Sequence, residues 1–389
     1  MNEKITAVLA AIVMGILALK AIAVTQTKAL ADLYKTGKIR FVPEIAITDE
    51  AMGGKDFFNN PADLALDDRG NLFVCDSRAN NIKVFDASGK YLRTIGKAGQ
   101  GPGDFNYPIE IEFGAGRFFI RELMNGRVSI LNREGVFLKS ILIQELGTIW
   151  WNIVALPDGR FVVEKERTNI QNPGQPQECR IELYSSEFEF AKPVYAQKIW
   201  RNKYITEPRS TNVPIPFSPL VYWNTTSDGK IVIGYSEKYE IEIHDPDRGK
   251  IGSFAHAFRP VEVTSADKEQ YFKGMGTTYS LSSGASTFQR GAPDYIVKLT
   301  KFPKFKPPYN AIRIDPEDNI WVRLYGATLG IGSSFDAFKP DGTFIGTVKL
   351  TGDSLFPYRL VRQKAWFWGI TVDKDGEYTI AKMKIEAAK

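Results

Sequence analysis

Residues 61–96 read PADLALDDRGNLFVCDSRANNIKVFDASGKYLRTIG, and the fold turns on how this stretch is parsed. Asp63-Leu-Ala-Leu-Asp67 is read as a strand of period two, Asp68-Arg-Gly-Asn71 is turn chemistry, and Leu72 to Cys75 is a β-rich run. A polar loop from Asp76 to Asn81 leads into a second alternating run, Ile82 to Phe85, and Ala87-Ser-Gly89 then turns the chain into Tyr91 to Ile95. The pattern predicts a four-stranded antiparallel meander.

Working outward, the same unit returns along the chain. The turn and following strand recur at Gly114–Ile120, Pro157–Val163, Ser227–Ile233, Asp315–Val322 and Asp373–Ile380, and downstream elements recur at Val128–Gly135, Ile241–Gly249 and Phe335–Gly342. Six copies predict an all-β, six-bladed β-propeller of four-stranded antiparallel blades, an architecture that leaves only short, protected strand edges. The sixth copy ends near Ile385, soon after its third strand, so Ile39 to Ile47 is expected to supply the missing outer strand and close the ring.

The segment Val74-Cys-Asp-Ser-Arg-Ala-Asn-Asn-Ile-Lys-Val-Phe-Asp86 and the link Gly96-Lys-Ala-Gly-Gln-Gly-Pro-Gly-Asp-Phe105, followed by Pro108, resemble the NHL-type six-bladed propeller proteins. The first copy carries the full motif, the second and fifth carry part of it, and the others share little beyond the Asp-Gly turn. The resemblance implies a fold. It implies no single activity, because such rings serve as binding scaffolds, lyases and lactonases alike.

Composition narrows the function classes. The 389 residues are 43% hydrophobic and 24% charged, with 50 Lys+Arg against 45 Asp+Glu, and a net charge of +5 spread along the chain gives no basic footprint for nucleic acid. With two cysteines and two histidines there is no CxxC, CxxCH or HExxH motif, and Cys75 and Cys179, in different and non-adjacent repeats, are expected to stay free. No serine has a plausible histidine partner in His244 or His256.

The amino terminus carries the cellular address. Ile5 to Leu19 is uncharged and mostly apolar, Lys4 precedes it, and small-residue sites follow at Ala21-Ile-Ala23 and Ala29-Leu-Ala31. As a helix it spans roughly 22 Å; continued through Val24 it would reach about 30 Å, the thickness of the hydrocarbon core. Residues 1–31 are thus expected to be a signal peptide or a membrane anchor, and residues 32–389 the propeller. The protein is expected to be exported, periplasmic or extracellular, with membrane contact through residues 5–24 if the leader is retained.

Two stretches exceed the blade quota. Residues 166–219 hold a strand-like run, Cys179 to Tyr184, and a Pro- and Asn-rich excursion. An inserted arm at about 258–308 opens with the capping-box pattern Thr264-Ser-Ala-Asp267, predicting a short helix, and a second helical candidate runs from Pro293 to Leu299.

Superimposing the repeats stacks residues expected to meet around the axis. The innermost strands bring Asp63, Glu110, Glu112, Asn152 and Asn224 to equivalent levels, a set of oxygen donors that would suit Ca²⁺. After the second strands stand Arg121, Glu122, Glu164, Arg323 and Asp76, expected to pair across blades or to line a ligand-binding mouth where Arg121 and Arg323 hold a carboxylate or phosphate. Trp150, Trp151, Tyr222, Trp223, Tyr309, Trp366 and Trp368 fall where the chain approaches the innermost strands and are expected to wedge between blades. The favoured expectation is a non-catalytic, cofactor-free module engaging a protein, peptide or glycan through one ring face and the arm. It would belong to a membrane complex if tethered. The alternative is a calcium-dependent lactonase or esterase at the central channel.

Overall fold

The computed structural model describes residues 29–143, 145–172, 174–205, 211–274, 294–325, 334–351, 359–363, 366–373 and 375–388. The hydrophobic segment 5–24 and the Gly- and Ser-rich part of the arm lie outside them. Two compact units divide the chain: Met1–Ala46, Ile314–Trp321 and Thr328–Lys389 make one, and Ile47–Arg313 with Val322–Ala327 the other.

The smaller unit begins with helix α1 (Ala29–Lys35) and strand β1 (Lys38–Ile47). In the larger unit, the stretch quoted at the outset forms β2 (Pro61–Leu66), β3 (Leu72–Asp76), β4 (Asn81–Phe85) and β5 (Tyr91–Ile95), a single antiparallel sheet in that order. Three more four-stranded meanders follow. They comprise β6 (Pro108–Gly114), β7 (Arg117–Glu122), β8 (Arg127–Asn132) and β9 (Phe137–Leu142); β10 (Thr148–Ala155), β11 (Phe161–Arg167), β12 (Gln177–Tyr184) and β13 (Phe190–Ile199); then, after the hairpin β14 (Asn202–Ile205) and β15 (Thr211–Pro214), β16 (Val221–Thr225), β17 (Ile231–Tyr235), β18 (Glu240–Asp245) and β19 (Gly249–Ala255). The strand-like run Cys179–Tyr184 is, as expected, part of β12. The third blade has long strands, and its surplus is confined to the stretch from Trp200 to Leu220.

The recurring turns share one geometry. The backbone N–H groups of Asp67, Leu156, Thr226 and Asp315 donate to the carbonyls of Asn71, Arg160, Lys230 and Asn319. The fourth residue of the turn is left-handed: Gly70, Gly159 and Gly229 have φ near +85°, and Asp318 takes +63°. Glycine adopts that region without the Cβ clash, which is why it holds the fourth position in three of these turns. In the second blade Ala115 and Gly116 are both left-handed, as a two-residue hairpin demands.

Apolar side chains fill the space between neighbouring blades. Phe73 of the first blade packs on Phe118 of the second at 4.0 Å between ring centroids, and Phe119 of the second packs on Phe161 of the third at 4.2 Å. Trp150, Trp223, Tyr309 and Trp368 are buried as expected of wedging rings, whereas Trp151 is 37% exposed. Cys75 and Cys179 are both buried and free.

Among the described residues four separate blades are thus seen, and the remaining strands share one sheet of eight. β20 (Tyr309–Ile314), β21 (Ile320–Leu324), β22 (Ser334–Phe338), β23 (Phe344–Leu350), β24 (Arg359–Gln363), β25 (Trp366–Val372) and β26 (Tyr378–Ala387) join β1 in the order β20-β21-β22-β23-β1-β26-β25-β24. β1 lies beside β26 as the sequence predicted, but Lys38 and Ile39 also pair in parallel with Lys349 and Leu350 of β23. That extra pairing fuses what were expected to be two separate sheets. Ile39 and Phe41 are buried in one core with Tyr34, Trp321, Phe335, Phe367 and Met383, and Leu30 and Leu33 of α1 pack against it. The boundary expected at residue 31 falls inside this helix.

The arm contains α2 (Ser265–Gly274) and α3 (Asp294–Leu299). Its capping box is formed: Asp267 N–H donates to Thr264 Oγ1 at 3.2 Å, and Thr264 N–H donates to Asp267 Oδ2 at 2.8 Å.

Candidate functional site

The carboxylates of the innermost strands join one blade to the next. Asp63 Oδ2 accepts Ile111 N–H at 3.1 Å, Glu110 Oε1 accepts Ile153 N–H at 2.6 Å and Glu112 Oε1 accepts Ala155 N–H at 3.1 Å. Each acceptor thus reaches the strand that opens the following blade, and the register 110→153, 112→155 runs β6 and β10 parallel. Asn224 Oδ1 turns back to Thr225 N–H, and Asn152 Nδ2 donates to Glu164. Asp63, Glu110, Glu112, Asn152 and Asn224 therefore do not converge as a calcium cage. Among the described residues no group of three or more His, Cys, Asp or Glu side chains is placed to hold a metal ion.

The residues after the second strands divide by role. Asp76 and Glu122, at equivalent positions, tie down the segment leading into their own blade. Asp76 accepts the N–H groups of Asn59 and Asn60 at 2.7 and 2.9 Å and pairs with the fully buried Lys83 at 3.1 Å. Glu122 accepts Asn106 N–H, Asn125 Nδ2, Ser129 Oγ and Arg127 Nε, the last at 2.7 Å. Arg121 pairs with Glu110 at 2.7 Å and donates to the Trp151 carbonyl, and Arg323 Nε donates to Asn310 Oδ1. The expected pairing of Arg121 and Arg323 with Glu122 and Glu164 is not made, since each finds a nearer partner within its own hairpin or blade. Asp76, Glu122 and Arg121 are spent on structure.

Glu164 is different, because it lines a cleft of about 200 Å³ together with Trp151, Asn152, Arg201, Tyr222, Trp223 and Arg313. β10, β11 and β16 supply most of these side chains, and Arg201 comes from the turn after β13. Glu164 Oε2 accepts Asn152 Nδ2 at 2.6 Å and Trp223 Nε1 at 2.8 Å. Burial pushes its carboxyl above the ordinary range, against the lowering effect of those two donors and of Arg201. The Arg201 guanidinium lies over the Trp151 ring at 5.0 Å, and its Nε donates to Glu166 Oε2 at 2.7 Å. Trp151 Nε1 donates to the same oxygen at 3.1 Å, which holds the indole by its edge.

Tyr222 connects the cleft to the arm. It lies near Tyr325, Arg201 and Arg323, and burial raises its phenol while lowering the Arg323 guanidinium. Phe217 packs on Tyr325 at 5.7 Å and on Phe302 at 6.3 Å, and Phe302 packs on Tyr271 and Phe272 of α2 at 5.4 and 5.6 Å. Lys306 Nζ pairs with Asp267 at 2.7 Å and lies 5.5 Å over the Phe217 ring. The arm is thereby held on the segment that precedes β16.

The same end of the second and third blades carries exposed apolar side chains. Leu123 and Met124 follow β7, Leu146 and Ile149 flank the start of β10, Ile170 follows β11 and Trp200 follows β13. Pro108 pairs with Glu122 and Thr148 with Arg167, which places the β7–β8 and β11–β12 connections at the ends where β6 and β10 begin.

Arg201 escaped sequence reasoning because it lies outside every repeat; the one signal was the surplus length before β16. Glu164 was singled out by stacking the repeats, whereas Trp151 was expected to wedge between blades and Arg313 was not singled out.

A family model described as a 6-bladed beta-propeller matches residues 60–115. Among solved structures, a candidate exported protein from Bacteroides fragilis shares 10% identity at a TM-score of 0.51, covering 90% of this chain and 96% of its own. A DUF4221-family protein from Bacteroides vulgatus shares 12% identity at a TM-score of 0.51, covering 90% of this chain and 99% of its own. No curated protein matches the sequence. The likeness defines a propeller-type fold. Among the described residues no helix is long and apolar enough to cross a membrane.

Proposed function

We propose that this chain is an exported, NHL-like six-bladed propeller that works as a binding module, its ligand entering the cleft between β10 and β16 and its partner-facing side being the end where β6 and β10 begin. The observation that carries the reading is the cleft itself. Trp151, Arg201 and Tyr222 line it without closing it, and exposed Leu146, Ile149, Ile170 and Trp200 stand on neighbouring turns of the same blade or just beyond it. Concave, partly apolar sites with a few convergent polar groups are where small ligands and exposed chain ends bind. The remaining charged residues of the ring support this division of labour, since Asp63, Glu110, Asp76 and Glu122 are occupied with joining and bracing blades.

Panels of oligosaccharides and of short peptides, presented to the purified chain, test the reading. One of the two panels is expected to yield binders whose affinity drops at least tenfold in Trp151→Ala while the melting temperature stays within a few degrees. Binding untouched by Trp151→Ala and by Arg201→Ala would move the site elsewhere. Fractionation of cells carrying a tagged chain tests export, with the protein expected outside the cytoplasm.

A further inference from the structure

We infer that the cleft between β10 and β16 takes a carboxylate-bearing sugar ring, a uronic acid unit at the exposed end of a glycan. This rests on the binding-module reading and gives its ligand a chemistry.

Four features point the same way. The volume of about 200 Å³ is below the ~300–1,000 Å³ typical of pockets for drug-sized ligands, so it suits one small ring and not a long ligand. Trp151 is indole-edge-bonded to Glu166 and 37% exposed, so it can offer a flat apolar face of the kind a pyranose covers with its C–H groups. Arg201 spends Nε on Glu166, its guanidinium stacks on Trp151, and its two terminal nitrogens donate no hydrogen bond among the described residues. Such a fork suits a carboxylate, and Arg313 adds a second positive charge to the lining.

The fourth feature is the acceptor side. Asn152 uses its Nδ2 on Glu164, and its Oδ1 accepts nothing among the described residues. Glu164 holds both Asn152 and Trp223 and lines the same wall. An amide oxygen beside a buried carboxyl and an arginine fork line the same ring-sized space, matching hydroxyls and a carboxylate on one ligand. A neutral hexose would satisfy the wall but leave the fork unused, and a simple carboxylate would do the reverse. Burial also pushes the Glu164 carboxyl upward, which lessens its repulsion of an anion.

Titration calorimetry on the full chain with glucuronate, galacturonate, glucose, galactose and acetate separates these contributions. At least one uronate is expected to bind tenfold or more tightly than its neutral hexose and than acetate. Arg201→Gln should abolish that preference, and Asn152→Ala should weaken the uronate while leaving acetate unchanged. Salt should weaken the uronate and not the hexose. Equal affinity for uronate and hexose, retention of the preference in Arg201→Gln, or no uronate binding overturns the inference. Peptides that bind in a Trp151-dependent manner while uronates fail would overturn it and leave the binding-module reading standing. Circular dichroism melts of each variant separate loss of ligand from loss of fold.

Discussion

Lys83 is fully buried between Asp76 at 3.1 Å and Asp56 at 3.5 Å, with Asn81 Oδ1 accepting a third bond at 3.0 Å. Removing one partner of such a pair strands the other charge out of water. Lys83→Ala is therefore expected to cost about 3 kcal/mol in denaturant unfolding. Gly234 lies where a Cβ would strike the Tyr309 hydroxyl and stand 2.8 Å from Ile241 Cδ1. Its φ needs no glycine, so the constraint is space alone. Gly234→Ala should lose about 1–3 kcal/mol by overpacking, read in the same measurement. Glu317 gives a pH-dependent case: burial first, and then the neighbouring Asp315, push its carboxyl up to about 7. The folded state thus holds its proton more tightly than the unfolded chain, whose glutamates titrate near ~4.3. Stability from this group is full below the unfolded value and is lost as pH rises through about 7. Melting curves from pH 4.5 to 7.5 should show the wild type falling relative to Glu317→Gln, and equal slopes would contradict the assignment.

Among the elements, α2 depends on its cap. Thr264 and Asp267 satisfy each other's backbone and side chains, and Asp267 also binds Lys306, so one carboxylate both starts the helix and ties down the end of the arm. Asp267→Ala is expected to raise hydrogen exchange across Ser265–Gly274 and 302–306 together, whereas Thr264→Ala should raise it in the helix alone. This helix was legible in advance because a capping box is a local pattern. So were β2 to β5, whose period-two alternation and turn residues place every strand within a residue or two. The length of the third blade was not legible. β12 and β13 carry Glu178, Arg180, Lys192 and Lys198 through their runs, and polar residues in long outer strands look like loop until the register is seen. The parallel contact of β1 with β23 was hidden for another reason: it spans about three hundred positions in sequence and involves only Lys38 and Ile39.

At the level of the whole chain, stacking the repeats was a reliable guide to which residues occupy equivalent positions and a poor guide to what they do there. Asp63 and Glu110 proved equivalent down to the backbone N–H each accepts, yet that shared bond is what removes them from any ligand site. The cleft arises where the repeat is broken, by Arg201 in the connection and Trp151 beside a register shift in β10. Symmetry predicts scaffolding, and departures from it predict chemistry. The amino-terminal portion can be probed by truncation. A chain beginning at residue 29 keeps Leu30, Tyr34 and Phe41 in their core and is expected to melt within a few degrees of the full-length protein. A chain beginning at residue 48 loses them and exposes β23 and β26, and is expected to aggregate.

The place of β1 between two of the last strands to be made sets an order of events during synthesis. As the ribosome extends the chain, the first four blades can each complete from neighbouring residues, but the segment around Phe41 has no permanent partner until Phe344–Leu350 and Tyr378–Ala387 have been translated. Until then it waits as an unpaired, apolar strand, the kind of species that chaperones bind. The slowest contact to form is consequently the one that ends the wait, and a stop codon anywhere before Tyr378 should leave a product recognised and degraded by quality control.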